Sequence, residues 1–191
     1  MLQFSTKGGL KMRKVSVKLK NGQEVIGDEF DQHDFAKLKN IFKKWQDINA
    51  DLKELEGRTL NVPDVFSEAL FCIFFDAVRT NNTAKSYDCV LKSTGDGVQI
   101  KSASIPNDCT SFGPKSTWDK LYYADFAPNG HVDGNVYFYE ITSDVYGIVL
   151  NESKGETFAD QQAQGRRPRF SMKSRIINEN NLKPIKKVSL L

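Results

Sequence analysis

Two short segments carry residue types that together could hydrolyse a phosphodiester bond. Asp88 lies in one apolar segment, and Gln99 and Lys101 lie in the next, after a Ser-Thr-Gly-Asp-Gly turn. Side chains alternate between the faces of a strand, so Gln99 and Lys101 share one side while Val98 and Ile100 point into the core. If the two segments pair as a hairpin, a carboxylate, an amide oxygen and an ammonium meet at one place.

These groups suit a magnesium-dependent reaction. A carboxylate and an amide oxygen can hold Mg²⁺, which takes few protein ligands and keeps several waters. The cation neutralises a phosphate and lowers the pKa of a bound water, while Lys101 can stabilise the attacking hydroxide or the pentacovalent phosphorus. Glu68, among apolar neighbours, could hold a water on the metal or orient Lys101, or it could simply pair with Arg79. We expect Mg²⁺ and no organic cofactor.

A helix and two strands must position these residues. The helix is predicted to begin at Asn61, which can cap it, with Pro63 in its first turn, and to run through Val78. The two strands are predicted over 87–92 and 98–104 from their apolar content and the glycines between them.

The first 57 residues are predicted to form a hairpin and a long helix. Alternation over 12–19, followed by Asn21-Gly22, indicates a hairpin with a type I′ turn. A heptad pattern from Asp34 to Leu55 indicates an amphipathic helix that Gly57 ends in a left-handed conformation. This pattern could pack on the domain or against another subunit. Its apolar positions are Leu38, Ile41, Trp45, Ile48, Leu52 and Leu55.

Strands mixed with helices predict an α/β or α+β fold whose central mixed sheet is flanked by helices. The chain divides into an N-terminal segment, 1–57, for dimerisation or as a DNA arm, and a catalytic core with a DNA-reading end, 58–191. Beyond the hairpin we predict a helix over 116–126 and strands over 135–141, 144–150 and 170–177.

The order Glu68, Asp88, Gln99-Ile100-Lys101 resembles the PD-(D/E)xK nuclease superfamily, which includes most type II restriction endonucleases. That family has a helix with an acid, then Asp on one strand and (D/E)xK on the next. Gln99 departs from the pattern, because an acid usually stands there, and the change removes one negative charge from the metal site. The resemblance covers roughly residues 60–177.

The resemblance implies a restriction-endonuclease-like core that cuts double-stranded DNA as a homodimer. The small enzymes that read short GC-rich palindromes such as GCNGC are the most similar in Tyr87-Asp88-Cys89-Val90, Gln99-Ile100-Lys101-Ser102, 136–140 and 165–171. The catalytic residues are then Asp88, Gln99, Lys101 and Glu68, with Asp88 and Gln99 as metal ligands.

A loop near the C-terminus carries groups that can read bases. Arginine donates two hydrogen bonds to guanine, and glutamine can bridge the donor and acceptor edges of a base. A Gly- and Pro-containing loop with such groups suits the major groove, and the segment 107–115 is a second candidate. The predicted DNA contacts are Arg166, Arg167, Arg169, Gln162, Gln164, Lys173, Ser102, Ser104 and Lys115; a solvated basic surface is the alternative.

Charge is distributed unevenly along the chain of 191 residues. Residues 1–20 hold six Lys/Arg and no acids, and residues 164–191 hold eight Lys/Arg and one acid, so the middle is acidic. Basic ends around an acidic middle fit phosphate-binding segments on either side of a metal-binding or scaffold core; two solvated basic tails are the alternative. With no long apolar run, no secretory signal and three cysteines without metal-type spacing, we expect a cytoplasmic protein with free thiols and no membrane span.

Three other functions fit parts of the pattern. A repair or junction nuclease of the same superfamily would recognise DNA structure rather than sequence. A non-catalytic DNA-binding protein would bind in a salt-sensitive way without cleavage. A partner-binding domain would use the heptad helix as its working surface.

Overall fold

A computed structural model describes residues 13–80, 87–106 and 108–191. Residues 1–12, which begin the basic N-terminal segment, lie outside the described residues. So does Asn107, in the second candidate DNA loop.

The chain begins with the predicted hairpin. Strands β1 (Arg13–Lys18) and β2 (Glu24–Glu29) pair antiparallel. The predicted type I′ turn is wrong, because the loop has three residues: Leu19 donates to the carbonyl of Gln23 at 2.8 Å. Gly22 alone takes a positive φ, +84°, as the last residue of such a loop does.

The predicted long helix is confirmed as α1 (Gln32–Glu54), which begins with a reciprocal capping box between Asp31 and Asp34. Its end differs from the prediction. Glu56, rather than Gly57, takes the left-handed conformation, with φ 55°. Gly57 donates back to the carbonyl of Leu52 at 2.8 Å, which completes a Schellman motif.

Only part of the heptad pattern on α1 faces the core. Leu38 and Phe42 are buried and Trp45 packs against the same core. Ile41 and Ile48 are 44% and 49% exposed, so they form an apolar stripe on the outer side of the helix. The helix therefore packs on its domain and still presents an apolar surface.

The second helix is shorter than predicted. Helix α2 (Asp64–Phe75) follows Pro63, which has an extended conformation and no capping side chain. Asn61 does not cap the helix, because its amide instead accepts from Ser104. The helix ends where Asp76 takes a left-handed φ of 49°, and Val78 belongs to strand β3 (Ala77–Thr80).

The predicted central mixed sheet is confirmed. Its further strands are β4 (Cys89–Leu91), β5 (Gly97–Ala103), β7 (Lys120–Asp125), β8 (Asn135–Ile141) and β12 (Lys186–Ser189). Among the described residues the order is β1-β2-β3-β4-β5-β7-β8-β12. Strands β5 and β7 are parallel, and the other neighbours are antiparallel.

Several predicted elements in the second half are wrong. The predicted helix over 116–126 is strand β7, whose residues after Lys120 are buried on both faces. Of the predicted strand 144–150, only its end belongs to a strand, β9 (Val149–Asn151), which pairs with β10 (Glu156–Thr157). The predicted strand 170–177 is largely a π-helix, Lys173–Asn178.

Three short elements and a 3₁₀-helix (Glu152–Lys154) complete the described chain. Strands β6 (Thr110–Ser111) and β11 (Arg169–Phe170) pair with each other, and α3 (Phe158–Ala163) begins with a capping box at Thr157. Neither α3 nor β12 was predicted from the sequence.

The sheet separates two cores. Helices α1 and α2 pack on one face with Val98, Ile100 and Tyr122. The C-terminal segment packs on the other face, where Phe112, Phe158 and Phe170 contact one another. Cys72, Cys89 and Cys109 are free thiols, as predicted. No helix in the described ranges is long and apolar enough to span a membrane.

Candidate active site

Asp88 and Gln99 lie beside each other on neighbouring strands. Cys89 pairs with Val98, and the amide of Asp88 donates to the carbonyl of Val98 at 2.9 Å, so the side chains of Asp88 and Gln99 fall on one face. Oδ2 of Asp88 accepts hydrogen bonds from Nε2 of Gln99 and from the amide of Ile100, the latter at 2.8 Å. The hairpin thus brings these two residues together as the sequence suggested.

Lys101 lies two residues further along β5, on the same face as Gln99. Its ammonium is 5.2 Å from the centre of the Phe112 ring, an aromatic platform in the second core. It is close enough to lower the pKa of Asp88 electrostatically, although burial dominates that pKa. Lys101 is only partly buried, so its ammonium remains accessible to a substrate.

Glu68 projects from α2, and its direct partner is Arg79 rather than Asp88. Its Oε2 is 3.9 Å from Nη1 of Arg79. Within the described ranges it makes no hydrogen bond to Asp88 or Lys101, yet both charges act on its pKa. The alternative that Glu68 pairs with Arg79 is therefore what the structure shows, at a position that is electrostatically coupled to the other candidates.

Burial makes both carboxyls weak acids. It raises the pKa of Asp88 to about 6, with the backbone amide of Ile100 and the charge of Lys101 acting in the opposite direction. Burial, followed by the charge of Asp88, raises the pKa of Glu68 to about 7. Perturbed carboxyls grouped in one place are typical of functional sites.

The donor set fits a hard cation. Oδ1 of Asp88 accepts no hydrogen bond from the described residues, and Gln99 beside it is only 5% exposed. A rotation of 180° about the last side-chain torsion of Gln99 exchanges its amide nitrogen and oxygen. Oε1 would then face the cation site in place of the Nε2 donor. No cluster of three or more His, Cys, Asp or Glu suited to a metal exists in the described ranges, so Gln99 and solvent would have to complete the ligand set.

The predicted DNA-reading loop lies next to the segment that follows the catalytic strand. Arg169 pairs with Ser111, and the carbonyl of Pro168 accepts from the amide of Phe112 at 3.0 Å. Phe112 and Phe170 stack at 5.8 Å. The two candidate loops therefore form one surface, anchored by the same Phe112 that lies beneath Lys101.

Three of the residues predicted to contact DNA also bind groups within the fold. Nε2 of Gln162 donates to the carbonyls of Gly113 and Ser116. Lys173 forms a 2.7 Å ion pair with Asp125, a carboxylate that is 2% exposed. Ser104 is buried against Asn61 and Val62. Gln162, Lys173 and Ser104 thus each have a partner within the fold, and their contact with DNA stays a prediction.

The other predicted contacts remain at the surface or near it. Arg166 forms a 2.6 Å ion pair with Glu156, and Arg167 donates to Ser111 at 3.3 Å. Arg169, Gln164 and Lys115 are exposed, and Ser102 is partly buried.

Comparison with known proteins identifies the class. Residues 30–179 match the sequence model of a restriction endonuclease family, that of the Bsp6I restriction endonuclease, so the chain belongs to this family. It is 32% identical over 178 residues to the type II restriction enzyme Bsp6I of Bacillus sp. (strain RFL6), a match that covers 83% of this chain and 94% of that enzyme. No solved structure matches the chain significantly. The predicted resemblance to type II restriction endonucleases is thereby confirmed.

Proposed function

We propose that this restriction endonuclease hydrolyses phosphodiester bonds in double-stranded DNA with Mg²⁺, at a site made of Asp88, Gln99 and Lys101. The observation that carries the proposal is the contact between Asp88 and Gln99 on neighbouring strands, with Lys101 on the same face. Membership of a restriction endonuclease family supports it, because DNA is the substrate of that class.

Each residue has a distinct role in this proposal. Oδ1 of Asp88 and Oε1 of Gln99 would hold the cation. Mg²⁺, when bound, supplies positive charge for the scissile phosphate and acidifies a water. The ammonium of Lys101 donates to the phosphate oxygens as their negative charge grows in the transition state. Glu68 lies further from the proposed cation than Asp88 does. Its charge orients Lys101, and Glu68 is not itself a ligand of the cation.

We assign sequence reading to the surface formed by β6, β11 and the loop before β11. Arg167 and Arg169 suit bidentate hydrogen bonds to guanine, which fits a GC-rich palindrome such as GCNGC. Gln164 and Arg166 lie at the start of this loop. We assign Ser102 and Lys115 to the phosphate backbone of the bound strand.

The enzyme acts as a homodimer in this proposal, and the outer stripe of α1 joins the subunits. The first half of the helix is mainly basic, with Lys37, Lys39, Lys43, Lys44 and one acid, Asp34; the second half is mainly acidic, with Asp47, Asp51, Glu54 and one base, Lys53. An antiparallel pair with Ile48 at the two-fold axis would place Lys44 of one copy near Asp51 of the other.

A cysteine at the two-fold axis tests this interface. In a Cys109→Ser background, Ile48→Cys should form a disulfide between two copies under mild oxidation, because the same residue meets itself at the axis. Val65→Cys, 46% exposed on α2, is the matched control and should stay unlinked. A monomeric mass by light scattering, both free and on DNA, would contradict the dimer.

The central experiment is a digest of fully sequenced, unmethylated phage DNA with Mg²⁺, with EDTA and Lys101→Ala as controls. Discrete Mg²⁺-dependent fragments that disappear in the variant are expected, and their ends give the recognition sequence and the cut position. Intact DNA in Mg²⁺ and Mn²⁺ from a folded sample would overturn the proposal.

A further inference from the structure

The N-terminal hairpin reaches the candidate active site through one arginine. Arg79, on β3, donates from Nη2 to Oδ2 of Asp28 at 2.9 Å, and Asp28 lies opposite it on β2. The other terminal nitrogen, Nη1, faces Oε2 of Glu68 at 3.9 Å. A single planar guanidinium therefore lies between a carboxylate of the hairpin and the carboxylate of α2.

This arginine is held firmly in place. Asp28 is 2% exposed and also pairs with Lys14, so it is a fixed anchor rather than a surface acid. The guanidinium lies 5.7 Å from the centre of the Phe30 ring. Strand β2 approaches β3 so closely that a side chain at Gly27 would overlap the carbonyl of Arg79. The hairpin is fitted to the backbone that carries Arg79.

A role in hairpin docking alone does not explain the direction of the side chain. The hairpin has a second ion pair to the sheet, in which Lys92 binds Glu29 at 2.7 Å and Asp76 at 2.9 Å without approaching Glu68. Arg79 differs from Lys92 because its free end is directed at Glu68. The Nε of Arg79 is buried and has no hydrogen-bond partner among the described residues. A buried donor without a partner lowers stability, and a contact that only docked the hairpin would not require this arrangement.

We infer that Arg79, anchored by Asp28, is a positioning residue that fixes the Glu68 carboxylate for cleavage. The inference rests on the proposed function, since it requires Glu68 to take part in catalysis. It also makes the hairpin part of the catalytic apparatus, because Asp28 is supplied by β2.

A double-mutant cycle separates positioning from general stability. We would measure single-turnover cleavage at saturating enzyme for wild type, Glu68→Gln, Arg79→Gln and the double variant, together with DNA affinity in Ca²⁺ and the melting temperature. Arg79→Gln should cleave roughly 10- to 100-fold more slowly at unchanged DNA affinity. The double variant should cleave no more slowly than Glu68→Gln, because Arg79 acts only through Glu68.

Lys92→Gln is the matched control, because it removes another ion pair between the hairpin and the sheet, that of Lys92 with Glu29. It should lower the melting temperature while cleavage stays within about 2-fold of wild type. Asp28→Asn is a second route if Arg79→Gln does not fold, and it should slow cleavage by releasing the anchor. Arg79→Lys should recover part of the rate lost in Arg79→Gln.

Each contrary result has a clear meaning. If Arg79→Gln cleaves as fast as Lys92→Gln, or if the losses of Arg79→Gln and Glu68→Gln multiply, the positioning role is wrong while the proposed nuclease stands. Wild-type cleavage by Glu68→Gln would also overturn it. If the wild-type protein does not cleave, the proposed function fails and this inference fails with it.

Discussion

Gln99 donates its side-chain amide to the carboxylate of Asp88, so the two residues proposed to hold a cation already bind each other. An acid at position 99 would instead place two carboxylates in contact within a buried site. The glutamine therefore lets the metal-free protein keep a satisfied pair where the usual acid would leave like charges opposed.

Replacing Gln99 by Glu should have opposite effects with and without metal. Without divalent cations, Gln99→Glu should lower the free energy of unfolding by about 1–3 kcal/mol, because a donor to Asp88 is lost. With Mg²⁺ the added charge should shift the cation concentration for half-maximal cleavage downward. Urea unfolding in EDTA and a Mg²⁺ titration of cleavage measure the two effects; Gln99→Ala should lose stability without gaining Mg²⁺ affinity.

Lys101 should be needed for cleavage but not for folding. Its ammonium lies over the ring of Phe112 and makes no ion pair with any of the described residues, so its removal leaves no buried acid unpaired. Lys101→Ala should slow single-turnover cleavage by at least about 100-fold, the usual effect of removing one group that stabilises the transition state. The melting temperature and the DNA affinity in Ca²⁺ should stay near wild type. A variant that cleaves within a few-fold of wild type would remove Lys101 from the site.

Glu68 should make stability depend on pH. Burial raises its pKa to about 7 from an ordinary 4.5, so the folded state holds the proton more tightly than the unfolded chain does. The stabilisation from this proton is complete below pH 4.5 and is lost as the pH rises through 7. Glu68→Gln cannot ionise, so it should exceed wild type in unfolding free energy by about 3 kcal/mol at pH 8, at 1.36 kcal/mol per pKa unit.

At pH 4 the advantage of Glu68→Gln should nearly vanish. Urea unfolding in EDTA at both pH values measures it. Glu54→Gln, at an exposed position on α1, should show no such pH-dependent gain. An equal difference at pH 4 and pH 8 would mean that Glu68 is not held in a raised-pKa environment.

The arginines of the reading loop should differ in their contributions to specificity. Arg167→Ala and Arg169→Ala should each weaken binding to the recognition sequence by about 1–3 kcal/mol relative to unrelated DNA. Arg166→Ala should mainly reduce the salt dependence of binding, because Arg166 is already paired with Glu156. Competition binding in Ca²⁺ at two salt concentrations separates these effects. A uniform loss across all sequences would make Arg167 and Arg169 phosphate contacts.

The sequence predicts best where local signals agree. The N-terminal hairpin, α1 and β8 follow from alternation, a turn dipeptide or a heptad pattern, and each is found near its predicted bounds. The contact between Asp88 and Gln99 follows from the short turn, because few registers are open to two strands joined so closely.

The predicted secondary structure is wrong where a segment is buried on more than one side, because its sequence then lacks the alternation of apolar and polar residues that marks a strand. Trp118, Leu121, Tyr122 and Phe126 have helical spacing, yet 120–125 is an internal strand with Tyr122 in one core and Tyr123 in the other. Likewise 173–178 winds into a π-helix, although its Ile176 and Ile177 favour a strand by type.

Contacts that join distant segments could not be predicted from the sequence. Nothing in the sequence links Asp28 to Arg79, which lies 51 positions later, and nothing at Lys173 indicates its ion pair with Asp125. The pairing of β6 with β11 likewise depends on the stacking of Phe112 on Phe170, which only the folded chain establishes.

The lysines on the two edge strands of the sheet affect how readily the protein aggregates at high concentration. In the described part of the chain the outer strands are β1 and β12, and they carry Lys14, Lys18, Lys186 and Lys187. An open strand edge is a template for edge-to-edge aggregation, and charged side chains along it oppose that pairing. We therefore expect these lysines to oppose pairing between the sheets of two molecules, with or without bound DNA.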